Sequence, residues 1–237
     1  MIVSNYSKNV FINCPYDDRY KGLLDVILFV IVVFGFNPRV ALESSDSGVN
    51  RIDKIVQLIK ESKYGIHDLS RIISNTSGEY YRLNMPLELG IDYGCSRFLE
   101  PERSDKKFLI LENEKFSLLK ALSDLSGIDT KAHENNGAKL VECLRGWFAE
   151  TVGLRDIPGP EKIFDDYTED FQVYLLDKAK KLGFKETNYI QKISIPEYID
   201  YVKEWRGTQS LYSNILSLVS DDKLHMPEEE NALKDIG

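Results

Sequence analysis

A carboxylate held in one place can stabilise, or attack, an electron-poor sugar carbon as its base departs. The stretch Asn84-Met85-Pro86-Leu87-Glu88-Leu89-Gly90 is suited to supply one. Pro86 fits the first position of a helix, where its missing N–H costs nothing. Leu87, Gly90, Ile91 and Gly94 then recur at helical spacing and predict a face lying close against a sheet. In that register Glu88 falls in the first turn, where the helix dipole favours its anion. The competing role for the same residue is a helix cap.

Other catalytic constellations are missing from the chain. His67, His133 and His225 are scattered without metal-ligand spacing, and no nucleophile elbow accompanies them. No metal and no cofactor are therefore expected. Cys14, Cys95 and Cys143 are widely spaced and odd in number, which argues against a disulfide framework and suits a reducing cytoplasm. A net charge of −8 with no run of Lys and Arg argues against sequence-independent binding to a nucleic-acid backbone. Residues Met1 to Asn9 carry no apolar signal region, and the apolar run Leu23 to Phe36 is too short to span a bilayer. A cytoplasmic protein without a membrane partner is the expectation.

The elements that must position Glu88 alternate along the chain. Asn9 to Cys14 is a compact apolar strand ended by Pro15, and Asp17 to Phe36 predicts a long buried helix closed by Gly35 and Asn37-Pro38. Arg39 to Glu43 predicts a second strand. Asn50 caps a helix running to Lys63, with Ile52, Ile55, Val56 and Ile59 on one side. Tyr64 to Leu69 is the third strand, and Ser70 to Leu83 a polar loop long enough to serve as a lid. The Glu88 helix follows, then a fourth strand over Lys107 to Leu111 and a short fifth near Ile128 to Ala132. Strict alternation implies a flavodoxin-like, doubly wound α/β fold with a parallel sheet covered on both faces.

In such sheets ligands bind beyond the carboxyl ends of the strands. That rule collects Asn13, Tyr16 and Asp17 after the first strand, Glu43 and Asp46 after the second, and Asp68, Ser70 and Arg71 after the third. Glu88 and Asn84 open the next helix on the same edge. Arg51 and Arg71 can meet phosphate oxygens bidentately, or sit solvated at the surface; Arg82 is a weaker third. Asp68 can bind ribose hydroxyls or cap the following loop. Tyr16 can stack on a base, and Ser45 to Gly48 can approach phosphates through backbone N–H groups. His67 alternates with Asp68, so the two face opposite sides, and a buried, hydrogen-bonded fate is expected for His67.

Beyond Asn136 the pattern is helical: Ala138 to Val152, Phe164 to Leu182, Pro196 to Trp205 and Leu211 to Val219. The division expected is an α/β domain over 1–135, an all-helical part over 136–226, and an acidic frayed tail over 227–237.

With these elements in place, residues 8–113 resemble the superfamily that joins TIR domains and nucleoside 2-deoxyribosyltransferases. Val10-Phe11-Ile12-Asn13-Cys14-Pro15-Tyr16-Asp17-Asp18 is similar to the opening strand and loop of TIR domains. His67-Asp68-Leu69-Ser70-Arg71 falls at the end of the third strand, and Glu88-Leu89-Gly90 resembles the transferases' Glu-hydrophobic-Gly. The chain departs from both patterns: Asn84-Met85-Pro86-Leu87 replaces the Trp of TIR enzymes, and the transferases' Asp-Gly-Thr-like stretch is missing.

The resemblance implies cleavage of an N-glycosidic bond, with Glu88 as the catalytic carboxylate and NAD as substrate rather than cofactor. Nicotinamide departs from a ring that is already positive and needs no general acid, which suits a site with one carboxylate. A bacterial antiphage-defence effector is further implied, active when assembled or signalled to, with a homo-oligomer and an activating partner or second messenger. Trp147, Trp205 and the helical part are the candidate assembly surfaces. Two alternatives stay open: a non-catalytic nucleotide-sensing or adaptor module, and a glycosidase acting on deoxynucleosides or other nucleotides.

Overall fold

A computed structural model describes residues 5–43, 46–72, 82–98, 105–125, 127–185, 189–212 and 215–216. Five parallel strands form one sheet in the order β2-β1-β3-β4-β5: β1 Asn9–Asn13, β2 Asn37–Val40, β3 Tyr64–Asp68, β4 Lys107–Glu112 and β5 Thr130–Ala132. Helices cover both faces, which is the doubly wound arrangement that the alternation predicts. The strand order changes direction at β1, so the crevice beyond β1 and β3 is the switch point. Asn13 pairs with His67 across that boundary.

Side-chain alternation decides what each face of the edge receives. Val10, Ile12, Tyr64, Ile66, Leu109 and Leu111 point into the larger core, built around helix α1 (Lys21–Val33). Phe11 points the other way, towards α2 (Arg51–Lys60), while Leu69 and Ile110 meet α3 (Asn84–Phe98). By the same parity Asn13 and His67 belong to the α3 face, and Asp68 to the α1 face.

Helix α1 is apolar all round because it is buried all round. Its outer side is covered by α4 (Gly137–Trp147) and α8 (Ile195–Gly207). Phe29 meets Phe171, Tyr167 and Trp205 at ring-centroid distances of 5.2–5.4 Å. Each such buried side chain contributes about 1.5–3 kcal/mol. Between α4 and α8 the chain runs through α5 (Pro160–Asp165), a π-helical stretch Asp166–Phe171, α6 (Gln172–Lys181) and α7 (Tyr189–Lys192). The helical region thus packs on the sheet's own helix. Trp147 and Trp205 are buried within that packing, and the Trp147 indole donates to the Phe108 carbonyl. They are core residues and offer no assembly surface.

Several element boundaries differ from those predicted: the helix capped by Asn50 ends at Lys60, the one expected from Phe164 is already formed at Pro160, and three differences lie near the site. The long helix starts at Lys21, because Asp17 turns the chain first: its side chain and carbonyl both accept from the Tyr20 N–H. Strand β2 is Asn37–Val40 rather than Arg39 to Glu43. It contains Pro38, which an edge strand tolerates, and Glu43 instead clasps Arg39 at 2.9 Å. The Glu88 helix begins two residues before Pro86, so Pro86 is its third residue and Glu88 lies in the second turn. The middle of the loop between Ser70 and Leu83, together with 217–237, lies outside the described residues.

Candidate functional site

Helix α3 is amphipathic in a register one step away from the apolar one. Met85, Glu88, Leu89 and Asp92 face the sheet, whereas Leu87 is 56% exposed. The two glycines do not serve a close approach to the sheet: a Cβ on Gly90 would meet nothing, and one on Gly94 only Phe98. The glycine that allows close packing is Gly65 of β3, where a Cβ would lie 2.5 Å from Asp92 Oδ2 and 2.9 Å from His67 Nε2. The sheet-facing stripe of α3 therefore carries two acids.

Glu88 is 4% exposed. Its polar contact is long, 3.4 Å from Asn84 Nδ2 to Oε1, and it forms no ion pair among the described residues. Burial pushes its carboxyl above the ordinary glutamate range, against the pull of the Asn84 amide and the field of Arg51. This reverses the expectation that the helix end holds the anion: in the second turn the dipole is weaker and desolvation wins. Glu88 in turn helps to raise the neighbouring Cys14 thiol and Tyr16 phenol, for both of which burial is the larger cause.

Of the predicted companions, Asn13, Tyr16, Asn84 and Arg51 gather on this side. Asn13 Nδ2 donates to the Met85 carbonyl at 2.8 Å, one turn before Glu88. Tyr16 is half-buried, but its hydroxyl is spent on the Ile12 carbonyl at 3.1 Å. Arg51 is exposed at the start of α2, forms no ion pair among the described residues, and its charge reaches Glu88 and Tyr16. It is the cation best placed to meet a phosphate.

The remaining candidates are engaged elsewhere. Arg71 and Arg82 both bind Asp17, Arg71 at 3.0 Å. Burial opposes the Asp17 anion, but the two guanidinium groups together with the Tyr20 and Arg19 backbone N–H groups outweigh it and lower the carboxyl. Glu43 is tied to Arg39, and Asp46 closes its own loop by accepting from the Gly48 N–H at 2.8 Å. Ser45 lies outside the described residues. Ser70 is the exception: its N–H donates to Asp68 Oδ1 at 2.9 Å, but its buried hydroxyl has no partner among the described residues.

Asp68 sits on the opposite face. It accepts from the Tyr20 hydroxyl and lies 3.0 Å from His133 Nε2. The Asn135 N–H donates to His133 Nδ1, which leaves the ring proton on Nε2, facing Asp68. Burial works to raise the Asp68 carboxyl, yet His133, Ser70 and Tyr20 together hold it below the ordinary range. Asp68 fastens β3 to α1 and to the end of β5, and is not available to a ribose.

The buried, hydrogen-bonded His67 is as expected, but sequence reasoning missed its partners behind Asn13. His67 Nδ1 lies 3.2 Å from Asn13 Nδ2, His67 Nε2 lies 3.0 Å from Asp92 Oδ2, and Asp92 Oδ1 lies 3.1 Å from Lys106 Nζ, all buried. The available signal was Asp92 itself, four residues after Glu88 and so on the same helix face. Two cavities flank the region without reaching Glu88. One, of about 650 Å³, runs between α3 and the β4–β5 crossover past Leu89, Tyr93 and Phe108. The other, of about 330 Å³, lies between Tyr16, Lys21 and Ile193 to Ile195.

Among the described residues no group of three or more His, Cys, Asp or Glu is arranged to hold a metal ion, and no helix is long and apolar enough to cross a membrane. No protein-family model matches the chain, and no curated protein or solved structure matches it.

Proposed function

We propose that the chain is an N-glycosidase that cleaves the nicotinamide–ribose bond of NAD, with Glu88 as the catalytic carboxylate. The observation that carries this reading is a buried acid with no cationic partner among the described residues, at the switch point of a parallel sheet. A carboxylate stripped of water and of counter-ions gains most from an arriving cation. The pyridinium–ribose bond supplies one: as C–N cleavage proceeds, the bonding pair returns to the ring nitrogen and positive charge grows on the anomeric carbon. Glu88 stabilises that carbon, and a water oxygen then bonds to it and releases a proton. An internal hydroxyl or ring nitrogen in place of water gives the cyclised product. Arg51 is assigned to the pyrophosphate.

At 4% exposure Glu88 meets a ribose only once the side chains over it part, which fits a resting form that assembly or a signal opens. The role in antiphage defence, the oligomer and the activating partner rest on the resemblance.

A product assay with NAD, ATP and a deoxynucleoside, offered singly and in competition, separates the readings. Release of nicotinamide alone supports the proposal. Base release from the deoxynucleoside moves the chemistry to the transferase-like alternative, and tight nucleotide binding with no base released from any of them supports the adaptor.

A further inference from the structure

Behind Asn13 lies a chain of buried polar groups that the proposed reaction does not use. Lys106 Nζ donates to the Ile59 carbonyl at 2.8 Å and to the Ser62 carbonyl, and forms an ion pair with Asp92 Oδ1 at 3.1 Å. Two ammonium protons are thereby held by carbonyls and the charge by Asp92. Asp92 Oδ2, 3.0 Å from His67 Nε2, requires a proton on that nitrogen. The Met85 carbonyl only accepts, so the Asn13 atom 2.8 Å from it must be the amide nitrogen. That same Nδ2 lies 3.2 Å from His67 Nδ1, which must then be the unprotonated nitrogen. The Asp92 end requires the proton on Nε2 and the Asn13 end a bare Nδ1, and together they define the neutral tautomer with its proton on Nε2.

The consequence falls on Asn13. Both of its amide protons are committed, to Met85 and to His67, and its Oδ1 accepts no hydrogen bond among the described residues. An amide flip would set oxygen against the Met85 oxygen. We propose that His67 is a positioning residue: Asp92 and Lys106 fix its ring, and the ring fixes the Asn13 amide so that Oδ1 is kept as the acceptor for a ribose hydroxyl beside Glu88. Gly65 belongs to the device, since a side chain there would collide with both Asp92 and His67. The inference rests on the glycosidase reading of the site.

Asp92→Asn tests it, because an amide facing Nε2 can donate and so invert the ring tautomer. Nitrogen-15 NMR of the parent protein is expected to show His67 protonated at Nε2, and Asp92→Asn to show it protonated at Nδ1. Nicotinamide release is expected to fall about tenfold to a hundredfold, mainly through KM for NAD. Asn13→Ala leaves Lys106, Asp92 and His67 intact and should lose the same factor, and the double variant should lose no more than either alone. Asn13→Ala keeps the test open if Asp92→Asn does not fold. A parent His67 protonated at Nδ1 or at both nitrogens overturns the inference, as does an active parent whose Asn13→Ala variant keeps its KM. A parent that neither binds nor turns over NAD overturns the reading of the site, and this inference with it.

Discussion

Two acids stand at the same edge of one sheet and have opposite fates. Glu88, on the α3 face, is buried against a single long contact from Asn84, and its carboxyl is pushed up. Asp68, on the α1 face, is buried more completely but faces Tyr20, Ser70 and His133, and its carboxyl is held down. The difference in burial would raise Asp68 further, so the number of donors decides the contrast. A buried acid with its donors satisfied is a structural fastener, whereas one left short of them is costly unless a ligand compensates it.

The contrast can be broken most sharply at Asp68. Replacing it by Ala leaves the Tyr20 hydroxyl, the Ser70 N–H and His133 without their acceptor. We expect a loss of about 3–5 kcal/mol in urea unfolding, and a loss below 1 kcal/mol would remove the distinction from Glu88. The parent's stability should also fall as the solution is acidified through the lowered Asp68 pKa, because protonation there breaks the fastener.

A third acid sharpens the rule. Asp25 in α1 is paired with Lys21, yet burial still pushes its carboxyl up to about 6. In the folded state it holds its proton to higher pH than in the unfolded chain, so stability falls as pH rises from about 4 to 6. Asp25→Asn should therefore gain roughly 2–3 kcal/mol at neutral pH and flatten that slope, by the same linkage. Unchanged stability would mean that Lys21 alone compensates the acid.

Among the arginines, Arg51→Ala should raise KM for NAD about tenfold, the scale of one lost charge-assisted contact. Arg71→Ala should cost about 1 kcal/mol of stability, from the half-exposed pair with Asp17 and the contacts with the Arg19 carbonyl and the Tyr20 ring. The reverse ranking would transfer phosphate binding to Arg71. The smallest expected effect is on the pH profile. Since Glu88 must be ionised, activity should rise with pH on an acid limb that lies above the ordinary glutamate range, and Arg51→Ala should move that limb higher still. A limb at or below the ordinary range would contradict the burial argument.

Strand and helix order was legible because periodicity survives packing: five strands and the helices between them fall where apolar runs and turn residues put them. Asn50 capped its helix as read, accepting from the Ile52 N–H at 3.0 Å. Boundaries moved where a side chain intervened, as at Asp17, or where an edge strand accepted Pro38. The Glu88 helix shows the harder limit. Leu87, Gly90, Ile91 and Gly94 form the more apolar stripe, but the helix buries Glu88 and Asp92 instead, because His67 on β3 and Lys106 just before β4 wait for Asp92. Such partnerships join residues distant in the chain, and no local pattern carries them. For the same reason Arg71 and Asp68 looked like ligand contacts until their partners Asp17 and His133 were in place.

The most direct measurement is free nicotinamide released from NAD by the concentrated parent protein and by Glu88→Gln, side by side, with both thermal unfolding curves. The account predicts release by the parent and a fall on the order of 10²–10³-fold or more in the variant. It also predicts that the variant unfolds at an equal or higher temperature at neutral pH, since it no longer buries an ionised acid. Equal release from the two, or no release from either, contradicts it.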